Sequence, residues 1–238
     1  PGIVPLHDAG TLTDGRVFYI MKLVRGVRLD WYAESAARSE TLRVFLRVCD
    51  AVGFAHAQGV IHRDLKPANI MVGAFGEVLV LDWGIARVRH EHERGQGDAG
   101  SVAAVPASAS NTAHGTVLGT PGFMAPEQAQ GQVELVDQRA DVYSLGAILK
   151  AVASGGDSRP ALASIWTKAM APDPSARYQT AADLAGDVAH YLDGEPVLAH
   201  RESVLERISR LYHRYQTAIL LVLAYLAMRL LFLAARGF

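Results

Sequence analysis

The sequence predicts a mixed α+β domain, mainly helical, with a hydrophobic helix at its C-terminal end. Three observations carry that prediction. Apolar residues recur at spacings of three and four in several stretches between residues 41 and 192, the spacing that gives a helix one buried face. Short apolar runs at 17–24, 70–72 and 78–81 have the length and β-branched content of strands. A small and apolar run fills 217–235, interrupted by Arg229.

Length and composition bound the possibilities. With 238 residues, 50% of them hydrophobic, the chain can bury one ordinary core and a small appendage. The 23 basic and 24 acidic residues leave a net charge of -1, so no global basic field draws nucleic acid. Cys49 is the single cysteine, which rules out an intrachain disulfide and cysteine ligation of zinc, and suits a reducing compartment. Its spacing with Leu42, Phe45, Leu46 and Val52 makes it a small buried hydrophobe rather than a reactive thiol. The chain begins at Pro1 with no charged n-region or apolar signal core behind it, so it reads as a fragment or a trimmed start without a secretory signal.

The elements follow in order. Residues 17–24 read as a strand, and 41–58 as an amphipathic helix ended by Gly59. The runs 70–72 and 78–81 are joined by the glycine-bounded turn 73–76, which makes them a hairpin. From His90 to Gly119 the composition turns to Gly, Ala, Ser, His and Glu, the mark of a long surface loop. Helical spacing returns at 141–153, where Val142, Leu145, Leu149 and Val152 share one face, and again at 161–170 and 181–192. The run 217–235 has about the length a bilayer needs. Four arginines between 201 and 214, against Glu202 and Glu206, are the expected cytoplasmic flank of such a span. Arg229 can snorkel from near its end. A helix docked on the domain, or on a second copy, is the competing reading.

The chemistry concentrates between residues 62 and 84. Phosphoryl transfer asks a protein to orient a hydroxyl nucleophile and to hold a metal on the phosphates with hard oxygen ligands. Asp64 and Asn69 lie in a loop entering the first strand of the hairpin, and Asp82 follows its second strand. All three oxygens can therefore converge on one cleft, where they would suit magnesium.

His62-Arg63-Asp64-Leu65-Lys66-Pro67-Ala68-Asn69 resembles the catalytic loop of serine/threonine protein kinases, and Asp82-Trp83-Gly84 resembles their magnesium-binding triplet; the Gly-Thr-Pro-Gly-Phe-Met-Ala-Pro-Glu-Gln stretch at 119–128 and Gly-Glu-Pro-Val at 194–197 resemble the bacterial type. The resemblance implies a protein-kinase-like fold, mainly its helical C-terminal lobe. It implies Asp64 as acceptor of the substrate hydroxyl proton, Lys66 as the group that steadies the transferred phosphoryl, and Asn69 and Asp82 as ligands of Mg2+. It extends to Gly119 through Glu127, similar to the close of the activation segment, and to Asp173 through Tyr178, whose Arg177 would pair with Glu127. Asp141 of Asp-Val-Tyr-Ser-Leu-Gly would cap the backbone of the catalytic loop. For ATP, the resemblance implies Met21 as gatekeeper, Lys22 to Val24 as the hinge, and Met71 as the floor beneath adenine. Arg63 would answer a phosphate on the activation loop, with Thr112 the candidate by distance and Ser108, Ser110 and Thr116 as others. Thr120 would contact Asp64 and Lys66.

The resemblance also implies an organisation. Residues 3–8 are similar to the fourth strand of the kinase sheet, so 1–24 would be a remnant of the small lobe and the hinge. The large lobe would occupy 25–195, with its activation segment at 82–127. A juxtamembrane helix would follow at 196–216 and a transmembrane helix at 217–235. Trp83 stands where the family has phenylalanine, and the short linker 154–159 stands in place of a substrate-docking helix. No glycine-rich phosphate loop and no strand lysine precede the hinge. The expectation is a kinase that phosphorylates Ser/Thr hydroxyls of proteins, inactive in this truncated form. It would sit in the cytoplasm on an inner-membrane anchor, and could act on a second copy as a homodimer. The alternative is a membrane-tethered pseudokinase scaffold. The sequence names no substrate, activating signal or sensor.

Overall fold

The computed structural model describes residues 2–14, 16–83, 87–88, 122–153, 160–200, 215–216, 220–222 and 224–229. The chain forms two compact units, Pro1–Ala199 and His200–Phe238.

The first unit is mixed in class. Strands β1 (Leu6–Thr11) and β2 (Val17–Met21) form an antiparallel hairpin running from Leu6 opposite Met21 to Thr11 opposite Val17. Next come β3 (Val27–Arg28), α1 (Leu29–Ser35) and the long α2 (Arg38–Ala57). Then follow β4 (Val60–Ile61), β5 (Ile70–Val72), β6 (Val78–Val80) and β7 (Arg87–Val88). Strands β3, β5 and β6 make a three-stranded antiparallel sheet, and β4 pairs with β7. The helical remainder is α3 (Pro126–Ala129), α4 (Gln138–Ala153), α5 (Pro160–Ala169) and α6 (Ala181–Leu192).

The core explains why these segments are helices. The stripe Leu42, Phe45, Val48, Cys49 and Val52 of α2 is buried with Val142, Leu145 and Leu149 of α4, Leu162 and Ile165 of α5, and Leu184 and Val188 of α6. Full burial of each such large side chain contributes about 1.5–3 kcal/mol, so packing rather than caps holds α2, whose N-cap Ala37 offers no side-chain bond. Helix α6 begins instead with a capping box, in which Thr180 and Asp183 each accept the other's backbone N–H. Gly146 lets α4 approach α5, since a Cβ there would sit 2.6 Å from Cβ of Ala169.

The structure corrects several sequence expectations. The strand expected over 17–24 ends at Met21; beyond it Lys22 N–H donates to Pro5 O at 3.3 Å and the chain turns toward β3. Helix α2 starts at Arg38 rather than residue 41. Helix α1, unmarked by the sequence, has Leu29 as its buried residue, too little apolar spacing to register. The helix expected from residue 196 does not begin there. Residues 195–200 are non-helical, because the buried Asp187 carboxylate accepts Leu198 N–H at 2.8 Å and Ala199 N–H at 3.0 Å and folds the chain back. In the second unit, 220–222 and 224–229 are helical. Among the described residues no helix is long and apolar enough to cross a membrane, and the rest of the expected span lies outside them. The expected loop at 90–119 and the linker at 154–159 also lie outside the described residues.

Candidate active site

Asp64 sits between β4 and a 3₁₀ turn at Pro67–Asn69. Its side chain is nearly enclosed, at 8% exposure, and its Oδ2 accepts a hydrogen bond from Lys66 Nζ at 2.7 Å. Asn69 donates its side-chain Nδ2 to the carbonyl of Asp64 at 3.0 Å, which fixes the amide and turns its oxygen the other way. The sequence thus places a carboxylate, an ammonium and an amide on one short turn, and the turn's own hydrogen bonds orient them.

The hairpin brings the second acid to the same end. Ile70 pairs with Val80, and Leu81 N–H donates to Asn69 O at 2.7 Å, so Asp82 follows directly beyond the last rung. Asp82 is exposed and left-handed, with φ of 60°. Trp83, which stands where the resemblance has phenylalanine, has a defined role. Its Nε1–H donates to Val80 O at 3.1 Å and its ring tilts against that of His62, centroids 4.5 Å apart. Gly84 lies outside the described residues.

His62 and Asp141 hold the loop from beneath. The His62 ring donates from Nε2 to Leu81 O at 2.9 Å, and its Nδ1 accepts Asp64 N–H at 3.3 Å, which makes it the neutral tautomer with the proton on Nε2. Asp141, fully buried in α4, accepts the N–H groups of His62 and Arg63, both at 2.8 Å, and the Nε2–H of His56 at 2.8 Å. The cap expected from resemblance is therefore present, with His56 as a third donor that the sequence did not mark. Cys49 is buried, and burial pushes its thiol well above the ordinary range, as an inert core residue requires.

The expected brace is also present. Glu127 and Arg177, 6% and 2% exposed, form a two-pronged pair at 2.7 and 2.8 Å. Arg177 donates further to the carbonyls of Ala171, Pro172 and Arg139, so the buried guanidinium has a partner for each of its N–H groups, the condition under which such a pair is tolerated. Next to Glu127, Gln128 donates Nε2–H to Arg63 O at 2.9 Å. Gln128 ends the 119–128 stretch that carries the bacterial resemblance, but no role for it followed, since its part depends on a contact across 65 residues.

The adenine-side candidates fall on different sheets. Met21 ends β2, partly exposed, with Lys22 exposed and Val24 partly buried beyond it. Met71 lies in the three-stranded sheet between Arg28 and Leu79. A cavity of about 290 Å³ lies elsewhere, lined by Arg38, Ser39, Leu42, Tyr191 and Leu192, none of them in the loop just described. Ser108, Ser110, Thr112, Thr116 and Thr120 lie outside the described residues.

Magnesium fits the donors that are present. It keeps several waters and shares substrate phosphates, so it needs one or two protein oxygens rather than a full cage; the pinned Asn69 amide and the exposed Asp82 carboxylate at the hairpin end are of that kind.

Comparison with known proteins gives the same picture. The protein kinase domain family matches residues 1–165. The chain is 34% identical over 230 residues to serine/threonine-protein kinase PknB of Mycobacterium tuberculosis, covering 82% of this chain and 34% of the relative. It is 32% identical to PknB of Mycobacterium leprae over 230 residues, with the same coverage. It is 29% identical to serine/threonine-protein kinase PknD of Chlamydia felis over 237 residues, covering 82% of this chain and 25% of that protein. The chain spans about a quarter to a third of the length of these curated relatives.

Proposed function

The chain belongs to the protein kinase family as a serine/threonine kinase domain of bacterial type, and from that premise we propose that it transfers the γ-phosphoryl group of ATP to Ser/Thr hydroxyls of proteins. The observation that carries this reading is the turn in which Lys66 and Asn69 hold Asp64 from two sides. The substrate hydroxyl attacks the γ-phosphorus as its proton passes to the Asp64 carboxylate, and the bond to the β-γ bridging oxygen breaks, releasing ADP. Lys66 stays beside the transferred group as negative charge spreads over its oxygens. Asn69 and Asp82 hold magnesium, which offsets phosphate charge when bound. Met21, Lys22, Val24 and Met71 line the adenine side.

The apolar run 217–235 behind an arginine-rich stretch supports a cytoplasmic kinase domain anchored at the inner membrane through that run. A membrane-held kinase meets copies of itself, which supports phosphorylation in trans within a homodimer.

The test is transfer of labelled γ-phosphate, with Mg2+, by the protein expressed from its full reading frame. The expected result is labelled phosphoserine or phosphothreonine, falling about a hundredfold or more in Asp64→Asn, the range typical for loss of a general base. Absence of transfer in the unaltered protein would favour a pseudokinase scaffold, and equal transfer in Asp64→Asn would overturn the role given to Asp64.

A further inference from the structure

We propose that Gln128 is a positioning residue for the transfer step, holding the peptide between Arg63 and Asp64 so that the Asp64 carboxylate stays aimed. The proposal rests on the reading of Asp64 as proton acceptor. Arg63, the residue before it, has φ of 70°. A non-glycine residue keeps such a conformation only where its surroundings fix it. Here the fixing comes from two elements. Asp141 of α4 takes Arg63 N–H at 2.8 Å, and Gln128 of α3 donates Nε2–H to Arg63 O at 2.9 Å. The carbonyl that Gln128 holds belongs to the same planar peptide unit as the N–H of Asp64, so a shift at one end turns the other.

Two features separate this role from simple packing. Gln128 is 7% exposed and its Oε1 is buried with no hydrogen-bond partner among the described residues, a cost that methionine or leucine of similar size would not carry. Placing a donor on Arg63 O is what the amide provides in return. The helix carrying it is also anchored, because the adjacent Glu127 is gripped by Arg177 at 2.7 and 2.8 Å. A line of contacts therefore runs from the buried ion pair through one peptide step to the catalytic loop, and a displacement of α3 would release Asp64.

The test uses Gln128→Met, which keeps the volume and removes the donor, and Gln128→Glu, both in the protein expressed from its full reading frame. In Gln128→Met, kcat should fall about ten- to a hundredfold with KM for ATP within about twofold, the pattern of a misplaced reacting group. Amide hydrogen exchange at Arg63 and Asp64 should speed up in the same variant, a readout that needs no activity. An ionised carboxylate cannot donate and a protonated one can, so the kcat ratio of Gln128→Glu to the parent should rise as pH falls. Unchanged kcat or unchanged exchange in Gln128→Met, or a flat ratio in Gln128→Glu, would overturn the proposal. Asp64→Asn in the same assay separates the two claims: if it keeps transfer, the reading of Asp64 fails, while exchange still decides whether Gln128 clamps the loop.

Discussion

Among the described residues, Arg63 and Asp82 are the non-glycine positions with positive φ, at 70° and 60°, and they stand at the two acids. Each such residue costs on the order of 1–3 kcal/mol, and aspartate tolerates the left-handed region better than most. Glycine carries no such penalty, though it loses more freedom on folding. Asp82→Gly should therefore leave stability to urea unchanged or raise it by up to about 1 kcal/mol, while abolishing transfer. A clear loss of stability would show that Asp82 serves the fold rather than the chemistry. Glu127 is the opposite case, because Glu127→Ala leaves a buried guanidinium unpaired and should cost about 3–5 kcal/mol in the same measurement. A cost below about 1 kcal/mol would mean that water or carbonyls already satisfy Arg177.

At the scale of elements, the close contact of α4 and α5 makes a direct prediction. Gly146→Ala gains about 1 kcal/mol of helix propensity but drives a methyl to 2.6 Å from Cβ of Ala169. Overpacking of that kind costs about 1–3 kcal/mol, so a net loss is expected, and adding Ala169→Gly should recover part of it. A more stable Gly146→Ala would show that the two helices slide apart freely. Helices α2, α4, α5 and α6 were legible in the sequence because each turns a long stripe of large apolar residues to the core. The β5–β6 hairpin was legible because its runs and turn are contiguous. Helix α1 was not, because Leu29 is its single fully buried residue, and β4 and β7 are pairs of residues whose strand character comes from each other. Asp64, Asn69 and Asp82 could be picked out by type and spacing and Lys66 by the resemblance of its loop, whereas His56 and Gln128 take part through contacts across 85 and 65 residues that no local pattern records.

At the scale of the whole molecule, the first unit is closed at its end by Asp187. That carboxylate accepts Tyr178 Oη–H at 2.7 Å as well as the N–H groups of Leu198 and Ala199. Burial, and then the Asp187 carboxylate, push the Tyr178 phenol well above its usual range. A group whose folded pKa is raised gives its full stabilisation below the unfolded value, near 10 for tyrosine, and loses it as pH rises through the folded one. Tyr178→Phe should accordingly cost about 1.5–3 kcal/mol, the usual worth of a hydrogen bond to a charged group, by an amount constant between about pH 6 and pH 9. A cost that fades across that window would mean that the phenol ionises early. The same buried framework carries the catalytic turn, and that coupling of fold to chemistry can be read by separating binding from transfer. The most direct measurement is parallel assay of Mg2+-dependent ATP binding and phosphoryl transfer in Asp64→Asn and Asp82→Asn, made in the protein expressed from its full reading frame. Asp64→Asn should bind nucleotide as the parent does and transfer about a hundredfold or more slowly, whereas Asp82→Asn should lose the magnesium dependence of binding; parental transfer in Asp64→Asn, or the same defect in both, would contradict the assignment of the two acids.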